Sequence, residues 1–322
     1  MESKTPGYLW SKPLLSRTAE NLYWLGRYVE RAESTARLIE MGRRMVMLPS
    51  AIDNDEWRSV IQASGKLDLE SPDDKLTERD AVRILLLDND NPSSIRACLT
   101  NARANGRAIR TALTQDMWEA LNDGWRQLED TNEAKACRDL PQILDWVKRR
   151  TSALRGAAET GMLRNDGFDF FRLGGYAERA DMMLRLLDVK YYVLLPETEV
   201  VGGGRDHHQW TSVLYANSAA RAYHHLYGGD YSPWKISDFL ILNRDFPRSL
   251  AFSYGRIGEH LDRLARRYGT RHECHSIANE IIGRLDDLGI GEIFQLGLHE
   301  FTQDCLAQNV RLSNEIGRAY YF

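Results

Sequence analysis

The sequence predicts an all-α protein, and three observations carry that expectation. Apolar residues step by three and four along most of the chain, and Leu22, Leu25, Val29, Ala32, Ala36 and Ile39 form the clearest series. Alternating apolar and polar runs bounded by hairpin turns are not evident. Prolines punctuate the helical segments instead of interrupting them: Pro49, Pro72, Pro92, Pro141, Pro196, Pro233 and Pro247 all sit at segment starts or ends. The first helix is expected over residues 15–44. Helical spacing with few breakers then recurs over 93–121, 140–158, 170–195, 209–227, 247–268, 272–288 and 292–320. Loops are expected at 48–56, 64–80, 160–167, 197–208 and 228–234. Gly202-Gly203-Gly204, followed by Arg205-Asp206, reads as a flexible linker rather than a phosphate loop.

Internal repetition organises these helices. Leu25-Gly26-Arg27-Tyr28-Val29-Glu30-Arg31-Ala32-Glu33 recurs as Leu173-Gly174-Gly175-Tyr176-Ala177-Glu178-Arg179-Ala180-Asp181, and Arg37-Leu38 recurs as Arg185-Leu186, at a constant offset of 148 residues. A second element follows each copy at an offset of 155: Leu85 to Ile95, centred on Asp90-Asn91-Pro92-Ser93-Ser94, resembles Leu240 to Leu250, centred on Asp245-Phe246-Pro247-Arg248-Ser249. Preserved order implies a tandem duplication with halves 1–160 and 161–322, expected to pack as one pseudo-symmetric helical bundle because each amphipathic face needs a partner. Asp90 and Asp245, just before the prolines, read as helix caps or turn formers.

Composition narrows the class of protein. A chain of 322 residues can bury a substantial core, and 43% hydrophobic with 27% charged residues is average globular usage, which excludes a disordered or wholly membrane-embedded protein. The net charge of −4 argues against a dedicated nucleic-acid binder. Eight lysines against 34 arginines favour fixed carboxylate or phosphate contacts, which suit the planar guanidinium. Cys98, Cys137, Cys274 and Cys305 are scattered and read as reduced thiols. The first 16 residues hold no apolar run of signal length, and the longest apolar stretch, 191–196, is far short of a membrane span. A cytoplasmic location with no membrane or nucleic-acid partner is expected.

The repeated helix places polar residues beside its apolar stripe. At 100° per residue, Gly26, Glu30, Glu33, Arg37 and Glu40 share one face, with Tyr28, Arg31 and Thr35 on the other flank. The second copy repeats this with Gly174, Glu178, Asp181, Arg185 and Asp188. Glu33 with Arg37 and Asp181 with Arg185 are i,i+4 pairs. A glycine inside a helix costs about 1 kcal/mol relative to alanine, so Gly26 and Gly174 are expected to admit a close backbone or a ligand. Tyr28, Glu30, Arg31, Glu33, Arg37, Tyr176, Glu178, Arg179, Asp181 and Arg185 are therefore the candidate site, either a buried Glu/Arg network or a ligand-binding or catalytic set. Glu30 and Glu33 lack the histidine that a carboxylate-bridged di-iron bundle needs, and His272-Glu273-Cys274-His275 lacks a second ligand cluster, so no metal and no cofactor is expected.

The segment Ser16-Arg17-Thr18-Ala19-Glu20-Asn21-Leu22-Tyr23-Trp24-Leu25-Gly26-Arg27-Tyr28-Val29-Glu30-Arg31-Ala32-Glu33, with Asn91-Pro92-Ser93-Ser94-Ile95 and Met117-Trp118-Glu119-Ala120-Leu121-Asn122 downstream, resembles the bacterial alpha-E family. The likeness runs from about Leu14 to Phe322 and departs at Ala104, where a glutamate is expected before Asn105. It implies an all-helical protein encoded beside or fused to circularly permuted ATP-grasp proteins and transglutaminase-like peptidases, with Glu30, Arg31, Glu33, Glu178 and Arg179 as matching positions. Two functions follow as expectations: a helical partner of an ATP-grasp amide or peptide ligase, or an enzyme acting on an amino acid or peptide through its Glu/Arg stripes. For docking, the helix with Trp118 and Trp125 and the tail Arg318 to Phe322 are the candidate anchors.

Overall fold

The structure, a computed structural model, describes residues 14–47, 56–65, 75–193 and 204–322, and every regular element in them is helical. Pro49, Pro72, Pro196, Gly202 and Gly203, with most of the loops expected around them, lie outside the described residues.

The chain opens with α1 (Ser16–Val46), the short α2 (Glu56–Ala63) and α3 (Glu78–Ala81), which runs into a π-helical turn over Val82–Leu87. Then come α4 (Ile95–Ala108), α5 (Gln115–Glu129), α6 (Glu133–Arg138) and α7 (Leu140–Gly161). The second long helix, α8 (Asp166–Val193), leads to α9 (Gly204–Ala216), α10 (Ala220–Tyr227) and α11 (Pro233–Ile241). The chain finishes with α12 (Leu250–Tyr268), α13 (Glu273–Asp287), α14 (Ile290–Leu296) and α15 (Leu298–Tyr320).

Three expected helices are split, each for a local reason. The 93–121 run breaks after Ala108, and α5 restarts where the Thr114 hydroxyl accepts from the Met117 N–H at 3.2 Å. The 209–227 run begins earlier, at Gly204, and divides at Ser218, whose φ of +55° belongs to no right-handed helix. The 292–320 run divides at Gly297, where φ is +94°. Apolar spacing continues across all three breaks because the pieces on either side face the same core.

Asp90 and Asp245 are not the caps. Ser94 and Ser249 are: their hydroxyls accept from the Ala97 and Phe252 N–H groups, each at 3.0 Å, and donate to the Asp88 and Asn243 carbonyls. The two aspartates are exposed turn residues whose own N–H groups donate to Asp88 and Asn243 side chains at 2.9 Å.

At the centre α1 and α8 pack against each other, and their neighbours correspond. α1 packs on α4 and α7, with α5 behind; α8 packs on α12 and α15, with α13 behind. Enclosed on nearly every side, both central helices bury apolar residues such as Leu22, Leu25, Leu38, Phe170, Leu173 and Leu187 together with charged ones. The crossing depends on two glycines. A methyl group on Gly26 would collide with the Phe171 carbonyl oxygen, and one on Gly174 with the Tyr23 carbonyl oxygen. These contacts exchange under the 148-residue offset. The backbone is the neighbour that both glycines admit, as their helical positions implied.

Candidate functional site

Close approach of α1 and α8 lets each helix reach the other's carboxylates. Arg31 Nη2 and Arg27 Nε donate to Glu178 Oε2, both at 2.8 Å, and Arg31 Nε donates to Oε1. In return Arg179 Nε and Nη2 donate to Glu30 Oε1 and Oε2 at 2.8 and 2.9 Å. Both are bidentate fork pairs, and one converts into the other under the repeat offset.

The Glu30 side is more elaborate. Arg155 of α7 reaches Glu30 Oε2 at 3.2 Å and also Glu33. Arg248, just before α12, reaches Glu30 Oε1 at 3.2 Å and Glu33 Oε1 at 2.5 Å. Arg37 closes on Glu33 from one turn further along α1 at 2.7 Å, and the Thr151 hydroxyl approaches Glu33 Oε2 at 3.1 Å. Three carboxylates thus sit among six guanidiniums. Glu30 is 1% exposed, and Glu33 and Glu178 are 0% exposed, which puts the charges in a water-excluded core where pairing is obligatory.

The titration of these groups follows. Burial alone would raise Glu178, but the Arg31 and Arg27 charges outweigh it and hold the carboxyl at about 2. Burial is likewise outweighed at Glu33, by Arg248 and Arg155, which hold it at about 2 although Glu30 opposes them. Glu30 is held well below the carboxylate range by Arg179, Arg155 and Arg248, again against burial. Arg248 falls to about 10, because deep burial adds to the repulsion of Arg179 and Arg37 and exceeds its attraction to the two glutamates. These carboxylates stay ionised around neutral pH and are poorly suited to accept or deliver a proton there.

The remaining candidates divide. Asp181 and Arg185 pair along α8 at 2.6 Å, and Arg185 lies against Gly65. Tyr176 accepts from Arg172, stacks on His260 at 5.9 Å and lies under the Arg179 guanidinium at 5.3 Å. Tyr28 is only half-buried, packed on Trp24 at 5.6 Å, and makes no hydrogen bond to the cluster. Arg27, Arg155, Arg248 and Thr151 complete the network and were not among the sequence candidates. Arg27 and Arg248 stand where the repeats disagree, opposite Gly175 and Ser93, and that disagreement is the signal that marks them.

Beside the cluster, a cleft lined by Gly26, Glu30, Arg155, Gly175, Tyr176 and Arg179 has only about 10 Å³ of free volume, no more than one water needs. Elsewhere, His275 Nδ1 accepts from the His272 N–H at 2.9 Å and Nε2 donates to the Leu261 carbonyl at 3.1 Å, so both ring nitrogens are engaged within the fold. Among the described residues no three His, Cys, Asp or Glu side chains converge as metal ligands. Burial pushes the Cys98, Cys274 and Cys305 thiols up to about 12, too high for ready nucleophiles. No described helix is long and apolar enough to cross a membrane.

Comparison with known proteins agrees with the helical architecture. Uncharacterized proteins of Mycobacterium bovis and of two Mycobacterium tuberculosis strains are each 24% identical to this chain over 277 residues. The alignment covers 79% of this chain but only 30% of each relative, so the chain spans under a third of the length of the curated relatives it matches. No solved structure matches it. The Alpha-E family model, described as a predicted alpha-helical domain with a conserved ER motif, matches residues 14–321, and Glu-Arg is the dipeptide at Glu30-Arg31 and Glu178-Arg179 that forms the reciprocal forks. The chain belongs to the Alpha-E family.

Proposed function

We propose that this protein is a cytoplasmic, non-catalytic helical module that works docked on a circularly permuted ATP-grasp amide or peptide ligase, in a peptide synthesis or modification system that can include a transglutaminase-like peptidase. One observation carries the docking reading: in the mycobacterial relatives the matching region is 30% of a longer polypeptide, so there the equivalent domain is covalently joined to further sequence. The ligase identity is what the alpha-E resemblance implies. Reading the Glu/Arg stripes as an enzyme's working residues fits less well, because Glu30, Glu33 and Glu178 are each occupied by two or more guanidiniums and the cleft beside Glu30 holds almost no free volume. Correspondence of Gly26 with Gly174, of the two forks and of the two serine caps supports deriving halves 1–160 and 161–322 from one duplicated unit, packed as an integrated bundle.

Co-expression of the full chain with the proteins encoded beside it tests this. A stable complex with the ATP-grasp protein is expected, together with no ATP hydrolysis or peptide ligation by the chain alone. Turnover of ATP or peptide by the purified chain, or failure to co-purify with the ATP-grasp protein, refutes it.

A further inference from the structure

The charges around Glu30 and Glu33 do not balance. Four guanidiniums, those of Arg37, Arg155, Arg179 and Arg248, meet two carboxylates there, which leaves a surplus of two positive charges. Among the described residues none of the four pairs with any further carboxylate. The glutamates are sealed from water, but the side chains of Arg37, Arg155 and Arg248 are 15%, 18% and 14% exposed, so the surplus lies towards the solvent edge of the cluster.

The fold does not require this excess. Glu178, at the position corresponding to Glu30, is held by Arg27 and Arg31 alone, and Arg248 stands opposite Ser93 in the repeat. Extra cations on carboxylates already paired add repulsion and desolvation, and Arg248, lowered to about 10 by burial and by its arginine neighbours, shows that cost. An anion from outside would remove it.

N–H groups remain to receive one. A guanidinium carries five. Arg248 engages Glu30 through Nη1 and Glu33 through Nη2, which leaves its Nε and the second hydrogen of each terminal nitrogen. Arg155 engages Glu30, Glu33 and Ser152 through its terminal nitrogens and leaves its Nε. Arg37 gives Nε and Nη2 to Glu33 and Nη1 to the Ser218 hydroxyl at 2.6 Å. Because these three arginines all close on Glu33, their outer edges converge. Ser218, exposed in the turn between α9 and α10, adds a hydroxyl at that rim from a backbone with φ of +55°, a conformation uncommon for any residue but glycine.

We infer that the outer edges of Arg37, Arg155 and Arg248 bind a phosphate dianion, either the free ion or the phosphomonoester of a small metabolite. Two negative charges match the surplus of two, and the oxygens of a phosphate can accept from three guanidiniums at once, whereas a carboxylate offers a single charge and two oxygens. Arg179, engaged with Glu30 and with the Pro247 carbonyl at 2.9 Å, holds the cluster in place beneath. The inference does not rest on the docking reading, since the chain can hold phosphate alone or in a complex.

Isothermal titration of the full chain with inorganic phosphate at pH 8, at ionic strength fixed with chloride, tests it. Saturable binding of one phosphate with a Kd below about 1 mM is expected. Arg248→Gln leaves each glutamate with two guanidiniums, so the variant should fold, and it should weaken phosphate at least about tenfold. Arg244→Gln takes the same charge from an exposed pair with Asp286 and should bind as wild type does. Methyl phosphate separates the two sources: affinity within about threefold of phosphate assigns the site to a phosphomonoester, and much weaker affinity assigns it to the free ion. Absence of saturation by about 10 mM phosphate, equal affinity for acetate, or a folded Arg248→Gln chain with unchanged affinity would each overturn the inference. So would an equal loss in Arg244→Gln, or an Arg248→Gln chain that does not fold, because Arg248 would then be required by the glutamates and not surplus to them.

Discussion

Replacing Glu178 with glutamine removes one charge and leaves Arg27 and Arg31 buried without a counter-ion. Two routes give the cost. Breaking one side of a buried ion pair typically costs about 3–5 kcal/mol. Independently, a carboxyl lowered from 4.5 to about 2 contributes about 3 kcal/mol at neutral pH. For 322 residues at about 2.1 cal/mol/K each, the unfolding entropy is about 0.7 kcal/mol/K, so Glu178→Gln should lower the melting temperature by about 5 °C at pH 7. The sign with pH follows from the depressed folded-state value: the stabilisation is whole above 4.5 and is lost as pH falls from there towards 2. Circular-dichroism melts from pH 7 to pH 3 should show the gap between wild type and variant narrowing only below about 4.5, because Glu33 and Glu30 titrate in both proteins. Glu273→Gln is the control: its pair with Arg311 is more than half exposed on both sides, and its loss should cost under about 1 kcal/mol. A Glu178→Gln melting temperature within about 1 °C of wild type, or a gap constant down to pH 3, would refute a closed ion-pair network.

Two further perturbations probe packing by the same melts. Gly26→Ala and Gly174→Ala each drive a methyl group into a backbone carbonyl of the opposite helix, so each should cost about 3 kcal/mol or more, whereas Gly175→Ala meets only the Gly26 oxygen at 3.8 Å and should be neutral or stabilising by up to about 1 kcal/mol. Truncation of Phe322, whose ring packs on Tyr23 at 5.5 Å and Phe170 at 6.0 Å, should lower stability, while Tyr321→Ala at an 85% exposed position should leave it unchanged. Tyr321→Ala is therefore the cleaner probe of docking by the tail, and unchanged co-purification would remove Tyr321 as an anchor.

Much of the architecture is legible from spacing and repetition, and what escapes has physical causes. The 3.6-residue period locates the long helices but is blind to breaks such as Ser218 and Gly297, because pieces on both sides serve one core. Glu30, Arg31, Glu178 and Arg179 are visible as a recurring dipeptide, yet their partners are not. On an isolated helix Glu33 can find only Arg37, and the guanidiniums of Arg155 and Arg248 arrive from α7 and from the turn before α12, 122 and 215 residues further along the chain. The same limit hides how the C-terminal tail divides, since Tyr320 and Phe322 are seated against Phe170 while Tyr321 between them is exposed. Tyr28, singled out by its repetition, packs on Trp24 and makes no hydrogen bond to the forks, although the Arg31, Arg27 and Glu178 charges reach its hydroxyl.

Reciprocity makes the surface of α1 close to its own complement. Within two turns it carries the notch of Gly26, the acceptor Glu30 and the donor Arg31, which α8 returns as Gly174, Glu178 and Arg179. Two copies of a half-length chain bearing α1 alone would offer each other the same notch, donor and acceptor, in the isologous manner of a twofold dimer. Joining two such genes turns a concentration-dependent association into an intramolecular one. It also changes stoichiometry. A symmetric dimer must display every surface twice, whereas a fused chain can keep Arg96 in one half and alanine at the corresponding position in the other, and so carry a surface feature once per molecule.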